Sequence, residues 1–199
     1  MASSSSATFV ATVVNAYDRA KTLARAYDDA HDESVEAFQT AVNVMEQVGA
    51  LERSGRRVAS ARTSERALAR ALCAVEDAFE RARASVERCA KASGKMRAVA
   101  KEASANASGA TPALRRCGGE RIGNGYSIAS LAFGLDDLAR MYDDDVGVKK
   151  EILKRARQTE DEDDLNQLLR MFSAKAGVEP EVARDILSRA PAKAMKGRA

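Results

Sequence analysis

The chain has no tryptophan, four tyrosines, five phenylalanines and a single histidine, His31, among its 199 residues. So little aromatic material makes any core thin. One histidine excludes multi-histidine metal sites and leaves little from which to build a hydrolytic triad. Cysteine is also scarce. Cys73 and Cys89 lie sixteen residues apart, about 24 Å along a helix, too far for a disulfide. With Cys117 they make an odd number, and they read as buried thiols of a reducing compartment. No apolar run approaches the length of a membrane span. The serine-rich start lacks the basic region and apolar core of a secretory signal, and the helical pattern begins at Phe9 or Val10, too early for a plastid transit peptide. A soluble intracellular chain is expected. Proline is absent before Pro112, so nothing in the first half forbids long helices.

What fills that half is heptad periodicity. Position a holds Val10, Tyr17, Ala24, His31, Phe38 and Met45, and position d holds Val13, Ala20, Tyr27, Ser34, Ala41 and Val48. Val14, Leu23, Val35, Val42, Val44 and Leu51 widen the stripe at e and g. This face exceeds a two-stranded seam and needs more than one neighbouring helix to cover it. A second helix is expected over residues 63–103, with Leu68, Leu72, Val75, Phe79, Val86, Cys89, Met96 and Val99 on one side and Thr63 or Ser64 as its cap. The break at Ser54-Gly55, within a loop at 53–62, is short enough to force an antiparallel hairpin.

Few β-branched runs or turn dipeptides occur, so the fold class is all-α: a long antiparallel hairpin over 9–105, a linker, and three shorter helices. Residues 1–8 are expected to be disordered. Residues 106–125 read as a flexible Gly/Ser/Arg linker. Its glycines lack both a preceding strand and a following Gly-Lys-Ser or Gly-Lys-Thr, which excludes a phosphate loop. A C-terminal module spans 126–190. Its first helix runs over 127–158 with a bend near Gly147. The next follows Thr159, buries Leu165, Leu168, Leu169 and Phe172, and stops at Gly177 after Lys175. The last opens at Pro180, carries Val182, Ile186 and Leu187, and precedes a basic tail at 191–199.

The net charge of +3 conceals segregation. Residues 1–52 carry 3 basic and 8 acidic side chains, residues 53–116 carry 15 and 6, and residues 136–164 carry 6 and 11. Antiparallel packing would make the first two helices complementary flanks. Arg81, Arg83 and Arg88 on the second helix are the candidates for a basic surface, and direct RNA binding through it is one alternative function. A structural coiled-coil subunit of a tethering or kinetochore-like assembly is another. Asp143, Asp144 and Asp145 do not continue into a calcium loop, because Gly147 and Val148 occupy the fifth and sixth positions, so they read as a solvated patch. No nucleophile and base stand at a productive spacing, and no catalytic residue, metal ligand or cofactor is assigned. The four tyrosines are expected as core or interface anchors.

One stretch carries a resemblance. Ser127 and Ala129 form a Ser-x-Ala opening, Leu135, Asp137 and Leu138 a Leu-x-Asp-hydrophobic step, Arg140 and Tyr142 stand two apart, and Lys150 precedes Leu153 by three. Asp164-Leu165 ahead of Phe172 extends the pattern. Together these residues resemble the C-terminal signature of the AIRIM family, helical ribosome-maturation factors that bind AAA+ ATPases of the AFG-two type. The sister CINP family shares a similar Leu-x-x-Met-Tyr step. Gly134, and the three aspartates where relatives are basic, depart from the pattern. The resemblance implies an all-helical, non-catalytic adaptor without a cofactor. It would act in the nucleus and cytoplasm with an AFG-two-type ATPase and a CINP-like subunit, on precursors of the large ribosomal subunit and also on chromatin. The signature residues, with Leu165 and Phe172, are then the interface candidates.

Overall fold

The computed structural model describes residues 3–55, 61–108, 121–122, 125–159 and 161–189. Helix α1 spans Ser3–Gly55 and α2 spans Ala61–Ser108. A two-residue antiparallel pair follows, β1 at Arg121–Ile122 and β2 at Tyr126–Ser127, and then α3 at Ile128–Ala156, α4 at Glu162–Ser173 and α5 at Pro180–Ser188. The fold is all-α, a long helical hairpin followed by shorter helices. Among the described residues no helix is long and apolar enough to cross a membrane.

The heptads account for what is buried. Tyr17, Ala24, His31 and Phe38 at a, and Val13, Ala20, Tyr27, Ser34 and Ala41 at d, are all buried, while Met45 and Val48 are only partly so. The packing divides the chain into two units. One comprises Met1–Tyr27, Ala90–Asp145 and Gly177–Ala199, the other Asp28–Cys89 and Val146–Ala176. In the first unit Tyr17, Tyr27, Met96, Val99, Leu131, Leu138 and Ile186 are buried. The Tyr17 hydroxyl donates to the Leu131 carbonyl oxygen at 3.0 Å, and burial pushes this phenol up to about 12. In the second unit Phe38 sits 6.0 Å from Phe79 and 5.0 Å from Phe172, ring centre to ring centre, within a cluster that includes Val42, Val86, Ile152 and Leu168. Each such side chain stabilises by roughly 1.5–3 kcal/mol when fully buried. A few aromatics at the right heptad positions therefore supply much of a thin core.

Several expectations are corrected. The packing does not separate a hairpin at 9–105 from a module at 126–190, because each unit draws on both stretches. Within each unit an aromatic from the C-terminal helices packs on the α1 face, Tyr142 on Tyr27 and Phe172 on Phe38. Residues 3–8, expected to be disordered, lie in α1, which begins at Ser3. Helix α2 extends past residue 103 to Ser108, and the pair Arg121↔Ser127 and Ile122↔Tyr126 replaces part of the expected linker. Gly125, at φ +81°, supplies the backbone turn that the pair requires. The remaining linker residues 109–120, Cys117, and the tail at 191–199 lie outside the described residues, as do 56–60 of the hairpin loop. Helix α3 continues through Gly147. A cost near 1 kcal/mol for that glycine is small beside the burial of Leu135, Leu138, Tyr142 and Ile152.

Helix α4 stops at Ser173, capped by the Ala174 N–H on the Arg170 carbonyl oxygen, rather than at Gly177. Lys175 takes the left-handed conformation, at φ 48°. That conformation ordinarily costs about 1–2 kcal/mol, of which the ion pair of Lys175 with Asp28 at 2.8 Å recovers only a part. Gly177 serves close approach instead: a Cβ there would lie 2.4 Å from the Asp145 backbone nitrogen. Cys89 is buried as expected, but Cys73 is exposed. In α5, Ile186 is buried as expected and Ala183 with it, whereas Val182 is exposed.

Candidate interaction surface

Ser127 ends β2 and caps α3, its hydroxyl oxygen accepting from the Ser130 N–H at 3.1 Å. Ala129, second residue of α3, is partly buried. Leu135, Leu138 and Tyr142 follow at helical spacing and are buried. The Tyr142 ring packs edge-on against Tyr27 with centroids 4.5 Å apart. Leu153, Leu165 and Phe172 are also buried, the latter two from α4. Most residues proposed as interface contacts are therefore core. Their periodicity specifies packing of α3 and α4 on the hairpin and leaves them no free surface for a partner.

The polar signature residues divide. Asp137 and Arg140 are exposed, and Arg140 pairs along its own helix with Asp136 at 3.2 Å and Asp137 at 3.8 Å. Such pairs contribute a few tenths of a kcal/mol. Lys150 pairs with Glu87 of α2 at 2.9 Å. Arg83, Lys150 and Leu153, singled out on separate grounds, line one groove of about 400 Å³ with Phe79, Val86 and Arg157. Its floor is closed, because Phe79, Val86 and Leu153 are buried. Its cations are engaged by the chain's own glutamates: Arg157 reaches Glu80 at 2.9 Å and Glu76 at 3.2 Å, and its guanidinium lies 5.3 Å above the Phe79 ring.

The basic surface expected on α2 is likewise interrupted. Arg88 pairs with Glu33 of α1 and donates to the Ser85 hydroxyl at 2.8 Å. Through its hydrogen bond to Glu33 it holds that exposed carboxyl below the usual carboxylate range. Arg83 lies 4.0 Å from Glu80, and Arg81 is exposed. The complementary-flank pattern holds for Glu33 and Arg88, but Arg19 of α1 and Glu102 of α2, 2.7 Å apart, carry the opposite signs.

Two buried charged residues that matter to this packing, Asp145 and Lys149, escaped the sequence reading. Asp145 is fully buried and accepts from the Tyr27 hydroxyl and from the Gly177 N–H at 3.3 Å. Asp143 accepts from Ser93 and pairs with Arg97 of α2. The aspartate triplet is thus not a solvated patch; only Asp144 is exposed. Lys149, 1% exposed, donates to the Phe172 carbonyl oxygen at 3.2 Å and lies 5.2 Å above that ring. The spacing held one signal for both: Asp145 and Lys149 continue the buried i, i+3, i+4 series of Leu138 and Tyr142. Among the described residues no group of three or more His, Cys, Asp or Glu is placed to hold a metal.

The model of the C1orf109-like ribosome biogenesis proteins matches residues 7–190, nearly the whole chain. This chain belongs to that family. AIRIM is the C1orf109 protein, so the family named from α3 and α4 and the family matched along the length are one. No curated protein and no solved structure matches the chain. The C1orf109-like match covers both long helices and the C-terminal helices, in keeping with a sequence pattern that encodes their joint packing.

Proposed function

We propose that this chain is a non-catalytic adaptor subunit of an AAA+ ATPase complex that matures the large ribosomal subunit. With a CINP-like helical partner it holds an AFG-two-type ATPase on precursor particles, in the nucleus and cytoplasm, with a related role on chromatin. The observation that carries this reading is membership of a ribosome biogenesis family over residues 7–190. A long helical hairpin suits an adaptor, and ATP hydrolysis belongs to the partner.

The test is co-purification. The tagged full chain, recovered from a native extract and analysed by mass spectrometry, is expected to bring down an AAA+ ATPase and a CINP-like protein in fixed ratio. Recovery of ribosomal precursors with neither would overturn the adaptor role while leaving the family assignment in place.

A further inference from the structure

The α1 face that is buried along most of its length opens towards the hairpin loop. Val44, Met45, Val48 and Leu51 are each only partly covered, and on α2 Leu68 is partly covered and Leu72 is 49% exposed. Of these, Met45, Val48 and Leu72 line a groove of about 450 Å³ closed at one side by Leu165 of α4. Gly49 deepens it, and the only atoms near a Cβ there belong to the flexible Arg53 side chain, at 3.3 Å. Contiguous apolar surface of this kind, rimmed by polar groups, marks a docking site.

The rim names the occupant. Glu46, Glu52 and Glu162 line the groove against one cation, Arg53. Glu65, two turns before Leu72 on the same α2 face, is exposed. A second copy docking through the same patch would set carboxylates against carboxylates, which costs affinity and suppresses that pairing. We infer that the loop end of the hairpin docks an amphipathic helix of a partner protein. Its apolar side chains fill the space over Val48, Gly49 and Leu72, and its lysines or arginines meet Glu52 and Glu162. This goes beyond the adaptor reading, since it rests on the groove alone and names the chemistry of the partner segment.

The probe is a pair of labelled helical peptides with leucines at i, i+3, i+4 and i+7, one flanked by lysines and the other by glutamates in their place. Binding to the full chain is followed by fluorescence anisotropy at low salt. The lysine peptide is expected to bind about tenfold or more tightly than the glutamate peptide. Leu72→Ser, at a half-exposed position, is expected to weaken it about tenfold. The surface double change Glu52→Lys with Glu162→Lys should reverse the preference, and circular dichroism checks that both variants stay folded. Equal binding of the two peptides, or no binding of either, would overturn the inference. So would a preference that survives the double change, or self-association of the full chain that Leu72→Ser abolishes. No ATPase takes part, so failure here is separable from failure of the co-purification.

Discussion

Asp145 and Gly177 illustrate how far a single position can constrain this chain. The buried carboxylate takes a hydrogen bond from the Gly177 amide, and the same approach leaves no room for a side chain on residue 177. Gly177→Ala would force a methyl group to 2.4 Å from the Asp145 nitrogen. Backbone cannot swing aside as a side-chain tip does, so a loss of about 1–3 kcal/mol or more is expected. Gly147→Ala is the matched contrast: its Cβ would meet nothing within 4 Å, and an exposed mid-helix alanine should gain up to about 1 kcal/mol. Urea unfolding of both variants checks the pair, and equal effects would mean that the contact is not tight in solution. The sequence could not display this. Glycines 147 and 177 look alike in a string, and the difference lies in a neighbour thirty-two residues away.

The elements themselves were largely legible. Period and length gave both long helices, the three short ones, and all four buried residues of α4, because a strong amphipathic pattern leaves a helix one way to lie. Helix ends were less so, as the displaced stop of α4 shows: the left-handed position fell to Lys175, held by Asp28 from α1. At the other end of α4 the cap is local. The Asp161 side chain accepts from the Asp163 N–H at 2.9 Å and the Asp164 N–H at 3.4 Å. Asp161→Ala is therefore expected to cost about 1 kcal/mol, within the usual range of roughly 0.5–2 for a lost cap. Asp161→Asn, which keeps an acceptor oxygen, should restore most of it. Thermal melts report this directly, and identical values for the alanine and asparagine variants would show that charge near the helix dipole matters here and the hydrogen bonds do not. Five acidic residues at 160–164 made the start of this helix visible in sequence, whereas which one caps it depends on the backbone angle at Asp161.

At the scale of the molecule, the excess width of the α1 face was readable from its heptads, but its cover was not. Amphipathicity states how much surface must be hidden and is silent on which helix hides it. The answer is α3, α4 and α5, with Tyr27 under Tyr142 in one unit and Phe38 under Phe172 in the other. A fragment ending at Ser108 would keep both long helices and lose these partners. Tyr17, Tyr27, Phe38 and Phe79 would regain contact with water, at roughly 1.5–3 kcal/mol each, a sum that rivals the whole stability of an ordinary domain at about 5–15 kcal/mol. Alanine-rich helices of this kind gain little from one another. The fragment is therefore expected to lose the cooperative melt of the full chain, to bind a hydrophobic dye, and to associate as its concentration rises. Adding the 126–199 segment in trans should restore a sharper transition if the cover is specific. A fragment that melts as sharply and at the same temperature as the full chain would mean the hairpin is self-sufficient. The signature of α3 and α4 would then have to be explained by a partner, because packing on the hairpin would no longer account for it.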